Sequence, residues 1–95
     1  MARIVWTRNA SNDFHELFDY ISKDSKFYAI RFSKKIIYKI ELLLKFPMTG
    51  RIVPEFDNAN IRELLEGNYR IVYRVENKNI YLLRISHTSR QLKNL

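Results

Sequence analysis

IRELLEGNYRIVYRVENKNIYLLRISH, residues Ile61 to His87, is the stretch whose reading decides the fold. Runs rich in β-branched, aromatic and aliphatic residues alternate with two turn signals, Gly67-Asn68 and Asn77-Lys78-Asn79. Three strands are predicted: Ile61–Glu66, Tyr69–Val75 and Ile80–His87. Tight turns between consecutive strands make an antiparallel meander. In the middle strand, alternation puts Tyr69, Ile71, Tyr73 and Val75 on one face, and Arg70, Val72 and Arg74 on the other. In the last strand, Ile80, Leu82, Arg84 and Ser86 oppose Tyr81, Leu83, Ile85 and His87.

Upstream, the period changes from two to that of a helix. Phe14, Leu17, Phe18 and Ile21 recur at one helical face, with Thr7 or Asn9 available as the N-cap. Ser22 to Ser25 breaks the pattern, and Ser25 can cap a second helix. That helix carries its apolar stripe on Ala29, Phe32, Ile36, Ile40, Leu43 and Leu44, with Lys34, Lys35 and Lys39 on the wet side. Pro47 is the expected stop, because proline has no amide donor and disfavours helix at the residue before it. Arg3–Trp6 reads as a first strand, and Met48–Asn60 as a loop anchored by Gly50 and Pro54. Ser89–Leu95 reads as a short helix or frayed tail.

The order is β-α-α-β-β-β. Two helices with a short break form an antiparallel hairpin, which covers one face of the sheet. The expected fold is therefore a single α+β domain over residues 1–95. It has two layers, a helical hairpin on a mostly antiparallel four-stranded sheet. The second sheet face is expected to be partly open to a partner.

Composition narrows the function. Hydrophobic residues are 46% of the 95, with six Phe, six Tyr and one Trp, enough for one core. There are no cysteines, which excludes disulfides and thiolate metal sites. MARIVWT lacks the shape of a signal peptide and no apolar run reaches spanning length, so a cytoplasmic, membrane-free protein is expected. Net charge is +7. Residues 1–50 hold nine basic and five acidic groups and residues 51–95 hold eight and five, so the excess is distributed. Such a surface attracts nucleic acid, ribosome or an acidic protein.

No metal motif or glycine-rich phosphate loop is found; His15 and His87 lie far apart and the chain has only Gly50 and Gly67, so no cofactor is expected. His15 reads as plain surface. The candidate site residues are Arg62, Arg70, Arg74, Arg84, His87 and Arg90. Guanidinium forks match phosphate, and several on one sheet face could bind RNA or stabilise a phosphoryl-transfer transition state. A histidine beside them could act as acid or base near neutral pH. Equally, the arginines could pair with Glu55, Glu63, Glu66 and Glu76 and only solubilise the sheet. Tyrosines on the apolar stripes read as core before they read as base-stacking platforms.

The segments IVWT (4–7), FP (46–47), GR-x-VPE (50–55), IREL (61–64), YRIVYRV (69–75) and H-x-x-R (87–90) together resemble the RelE/ParE superfamily of toxins from type II toxin–antitoxin systems. The resemblance spans nearly the whole chain and implies a small basic toxin held inactive by a wrapping antitoxin. It also implies contact with operator DNA only through that antitoxin. RelE-like members cut mRNA on the ribosome, whereas ParE-like members poison DNA gyrase. Against the RelE pattern, Arg70 and Arg90 match two arginines. The two lysines before NYR fall on Ile61 and Glu63, and the C-terminal catalytic tyrosine has no counterpart in QLKNL. GR-x-VPE and IREL are closer to ParE-type chains. The resemblance therefore implies a gyrase inhibitor, with Arg62, Arg70, Arg74, Arg84 and Arg90 as target- or antitoxin-binding residues. The alternative is a ribosome-dependent endonuclease with His87, Arg90 and Arg70 as its catalytic set. A further alternative is an inactive, antitoxin-binding member.

Overall fold

The structure, a computed structural model, describes residues 2–92. Its elements are β1 (Ile4–Trp6), α1 (Arg8–Ser22), α2 (Lys26–Leu42), β2 (Arg51–Ile52), β3 (Ile61–Glu66), β4 (Tyr69–Glu76) and β5 (Asn79–His87). The sheet order is β1-β5-β4-β3-β2. β3, β4 and β5 form the expected antiparallel meander, and β1 joins it in parallel on the far side of β5.

The sheet has five strands, one more than expected. The extra strand is Arg51–Ile52, which pairs antiparallel with Glu63 and Arg62. Two residues are too few to show a period, so this strand is formed by its partner and not by its own propensity. α1 is capped by Thr7, whose Oγ1 accepts from the Ala10 amide at 3.2 Å and donates to the Leu82 carbonyl at 2.6 Å. The cap thus also docks the helix onto β5. Ser25 caps α2 through the Tyr28 amide at 3.1 Å.

α2 ends at Leu42, before Pro47 can act. The amides of Leu43, Leu44 and Lys45 bond to carbonyls three residues back, at 3.0, 3.2 and 3.1 Å. This tighter turn rotates Leu44 off the stripe, and it is exposed while Leu43 stays buried.

β5 departs from strict alternation. Val72 pairs Arg84 and Tyr73 pairs Leu82, so Leu83 is an extra residue, a β-bulge. Ile80 and Leu82 before it, and Ile85 after it, all enter the core beneath the helices. Leu83 packs instead against the opposite face.

The main core sits between hairpin and sheet, built on Phe32, Ile36, Ile40, Ile71, Tyr73 and Leu82. The other sheet face is not open where β3 and β4 run. Val53, Val72 and Leu92 are buried there, with Phe56, Ile61 and Leu83 against them. Segment 53–60 and the C-terminal residues up to Leu92 therefore close over that face.

Tyr73 pins the edge of this closure. Its hydroxyl donates to the Pro47 carbonyl at 2.8 Å and accepts from the Gly50 amide at 2.9 Å. A Cβ at Gly50 would lie 2.7 Å from both that hydroxyl and the Glu63 carbonyl oxygen. Two changes should therefore hurt. Gly50→Ala should destabilise by about 1–3 kcal/mol through overpacking. Tyr73→Phe should cost a similar ~1–3 kcal/mol, because the buried Gly50 amide loses its acceptor. Urea unfolding would measure both, and an unchanged midpoint for Tyr73→Phe would show that the hydroxyl is dispensable.

Candidate functional site

The arginines do not form one array; the fold gives them different tasks. Arg70, on β4, is only 5% exposed. Its Nη1 and Nη2 donate to the two oxygens of Glu55 at 2.8 Å each, and its Nε donates to Glu63 Oε1 at 2.6 Å. Arg51 Nε takes the other Glu63 oxygen at 2.6 Å. Glu55 Oε2 also accepts the Leu92 amide at 3.0 Å. Two guanidiniums and two carboxylates thus neutralise each other on the second face, with Arg70 and Glu63 buried and Arg51 exposed at the edge. The bidentate Arg70 hydrogen bonds, followed by the Leu92 amide, hold the Glu55 carboxyl well below the usual range, at about 2. Arg70 is pushed above its ordinary value, first by the hydrogen bond to Glu55.

Arg62 is also structural: Nε donates to the Ala59 carbonyl at 3.0 Å and Nη1 to the Gly50 carbonyl at 2.9 Å. Arg84 reaches across to α1 and grips Asp13 at 2.8 and 3.0 Å. That hydrogen-bonded carboxylate raises its pKa. Asp13 accepts the Ile85 amide as well, at 3.0 Å. Arg74 pairs with Glu76 at 2.6 Å and lies 4.8 Å from the Tyr81 ring centroid.

His87 and Arg90 are the two candidates that reach a cavity. A groove of about 610 Å³ runs between α1 and the ends of β4 and β5. His87, Arg90 and Tyr69 line the sheet side; Asp13, Glu16 and Asp19 line the helix side. The His87 ring stands edge-on to Tyr69 at 5.4 Å. Its Nδ1 accepts the Ser89 amide at 3.1 Å, so the neutral ring carries its proton on Nε2. Burial, with Tyr20 and Tyr28 nearby, pushes the Tyr69 phenol up, so it stays protonated at neutral pH. The groove can offer a histidine and a guanidinium to a ligand, with Lys23 beside them, but Glu16 and Asp19 face them; the third carboxylate, Asp13, is taken up by Arg84.

Of the six candidates, the fold therefore brings His87 and Arg90 together and sets Arg62, Arg70 and Arg84 to holding loops and helices. Glu55 and Glu63 were readable as partners of the arginines. The carboxylate wall of α1 was not, because Asp13 meets its partner from 71 residues away. No group of three or more metal-ligating side chains occurs among the described residues. No helix among them is long and apolar enough to cross a membrane.

The fold has counterparts among known proteins. Residues 4–92 match the model of the ParE toxin of type II toxin–antitoxin systems, parDE. The chain belongs to that family, within the RelE/ParE superfamily of toxins. A toxin of Caulobacter vibrioides, named Toxin RelE2, is 32% identical over 91 residues, covering 95% of this chain and 99% of its own. Among solved structures, the chromosomal ParDE system of P. aeruginosa superimposes with a TM-score of 0.73 at 27% identity, over 92% of this chain and 96% of that one. The RelBE2 toxin–antitoxin complex of Mycobacterium tuberculosis shares the fold, with a TM-score of 0.56 at 21% identity, over 90% and 95%.

Two outcomes follow from the ion cluster. Arg70→Ala should cost about 3–5 kcal/mol, since it strands buried carboxylates. Arg74→Ala, at an exposed pair, should cost under about 1 kcal/mol. Chemical denaturation would rank them, and equal losses would show that the cluster is not what holds the second face. The lowered Glu55 pKa gives a pH signature as well. Its contribution is full above pH 4.5, the ordinary value, and is lost as pH falls towards about 2. It amounts to roughly 3 kcal/mol at most. Glu55→Gln should flatten that limb of the stability–pH curve.

Proposed function

We infer that this chain inhibits DNA gyrase in the cytoplasm, as a ParE-like toxin neutralised by a cognate antitoxin. The observation that supports this reading is the commitment of Arg70 to Glu55 and Glu63. A ribosome-dependent nuclease needs free cations around the scissile phosphate. Here the matching arginine is buried, and a carboxylate, Glu63, stands where the RelE pattern has a lysine. The groove beside His87 and Arg90 adds Glu16 and Asp19, Asp13 being paired with Arg84. A carboxylate 4 Å from a phosphate costs about 1 kcal/mol in water and about 4 kcal/mol near a protein surface. Each such group would offset what one arginine at the same distance contributes. A surface that works by contact, without cleaving phosphate, needs no such array. The antitoxin follows from family membership, and the similar solved structures include toxin–antitoxin complexes.

The second reading, a ribosome-dependent mRNA endonuclease, draws on one observation. The His87 imidazole is exposed in the groove with Nε2 as a free donor, next to Arg90. A histidine placed beside a guanidinium is a residue type that serves as acid or base in phosphoryl transfer.

Inducing the chain without its antitoxin, with pulse-labelling of DNA and protein synthesis, separates these readings. A gyrase inhibitor should stop DNA synthesis first and induce the SOS response, and His87→Ala should leave that effect intact. If protein synthesis falls first and His87→Ala or Arg90→Ala lowers mRNA cleavage by about 100-fold or more, the nuclease reading replaces it. If neither falls, the chain is the inactive, antitoxin-binding member.

A further inference from the structure

A second hollow, of about 240 Å³, lies between the first half of α2 and the turn that joins β3 to β4. Tyr69 lines both this hollow and the groove beside His87. Tyr28 and Tyr69 each pack against the buried Phe32, with ring centroids 6.5 and 5.4 Å from it, and all three rings line the hollow. Tyr28 is 57% exposed. Arg31 and Lys35, four residues apart on α2, supply two cations. Like charges at that spacing repel. Neither has an ion-pair partner among the described residues. The one carboxylate of the hollow, Glu66, is held by Lys39 at 3.0 Å. Gly67 and Asn68 stand outside the strand ladder, whose last pair here is Glu66 with Tyr69. The Thr88 amide donates to the Asn68 carbonyl at 2.7 Å, which fixes the turn just past the end of β5.

We propose that this hollow binds a nucleoside phosphate, with the base against Tyr28 and Tyr69 and the phosphate held by Arg31 and Lys35. The proposal is independent of which target the chain inhibits. Charge selects an anion: one placed beside Arg31 and Lys35 relieves their repulsion and gains charge-assisted hydrogen bonds, and a guanidinium fork fits phosphate. The rings select what the anion is attached to. A bare phosphate or a carboxylate leaves the ring faces in water, whereas a base covers them, since every base has a π-face. Size limits the ligand to one such unit. Enclosed ligand pockets begin at about 300 Å³, so this hollow admits a single base with its phosphate and no inserted helix. Asn68, which is exposed at the turn, carries a carboxamide that can donate to and accept from a base edge. No histidine lines the hollow and Glu66 is taken by Lys39, so the ligand is bound there and not cleaved. A free nucleotide and the phosphorylated end of a strand offer this same chemistry.

The test titrates AMP and GMP into the intact chain at low salt and follows backbone amide shifts by NMR. Saturable shifts should centre on residues 28–35 and 66–69, and adenosine or inorganic phosphate alone should bind at least about 10-fold more weakly. Arg31→Ala/Lys35→Ala and, separately, Tyr28→Ala alter exposed side chains and should each weaken AMP by about 10-fold, the loss expected for a phosphate contact or a stacked base. The charge-matched control Lys34→Ala/Lys45→Ala, outside the hollow, should change it less than twofold. Photolysis of 8-azido-AMP with the unaltered chain should label Tyr28 or Tyr69, which keeps the proposal testable should a variant misfold. A six-nucleotide DNA strand with a 5′-phosphate separates the two sources. Binding 10-fold tighter than AMP, with the same dependence on Arg31 and Lys35, assigns the hollow to a strand end; binding no tighter assigns it to a free nucleotide. No saturable shift with either nucleotide would overturn the proposal, as would phosphate alone binding as tightly as AMP or unchanged affinity in both variants. So would displacement of AMP by an equimolar hexaglutamate peptide, which would make the hollow a contact for acidic protein.

Discussion

The protein depends on the ionic cluster around Arg70. A guanidinium at 5% exposure is stable only when its donors are matched, and here two carboxylates match them in plane. Arg51 satisfies the remaining oxygen of Glu63, so the cluster is neutral as a whole. It draws four parts of the chain to one place: the β2 edge through Arg51, the loop through Glu55, β3 through Glu63, and the C-terminal residues through the Leu92 amide. Leu92 then closes the second core with Val53 and Val72. Tyr73 does the same from the other face of β4, holding Pro47 and Gly50.

The cluster also redistributes charge with functional effect. Eight basic groups lie in residues 51–95, yet the sheet arginines that would have gripped phosphate are largely spent internally. The positive potential of the chain is carried instead by α2, where Lys26, Arg31, Lys34 and Lys35 meet solvent and Lys39 pairs with Glu66. The groove where His87 and Arg90 meet is balanced by the carboxylates of α1. A surface organised this way favours acidic protein partners over the close phosphate contacts of a nuclease.

Much of this was legible in the chain. The meander was readable because Gly67-Asn68 and Asn77-Lys78 punctuate β-branched runs. Asn77 and Lys78 both adopt positive φ, 50° and 68°, the geometry that tight hairpins require. The hairpin was readable from its 3.6-residue stripe and its Ser25 cap. β2 escaped because two residues have no period, and the early end of α2 because i→i+3 bonding leaves no compositional mark. The bulge at Leu83 escaped for a related reason: one inserted residue shifts every later side chain by a face, while the run remains apolar throughout.

Local pattern therefore determined six of the seven elements, their order, the helical face of the core and the family likeness. Each of these is set by interactions among residues a few positions apart. Only the tertiary structure decided which arginines are free. The partners of Arg70 lie 15 and 7 residues away and the partner of Arg84 lies 71 away, and no spacing rule connects them. An ion pair across a fold is made by the packing that brings two strands or a helix and a strand together. Its members look the same in sequence whether they end in water or in each other's reach.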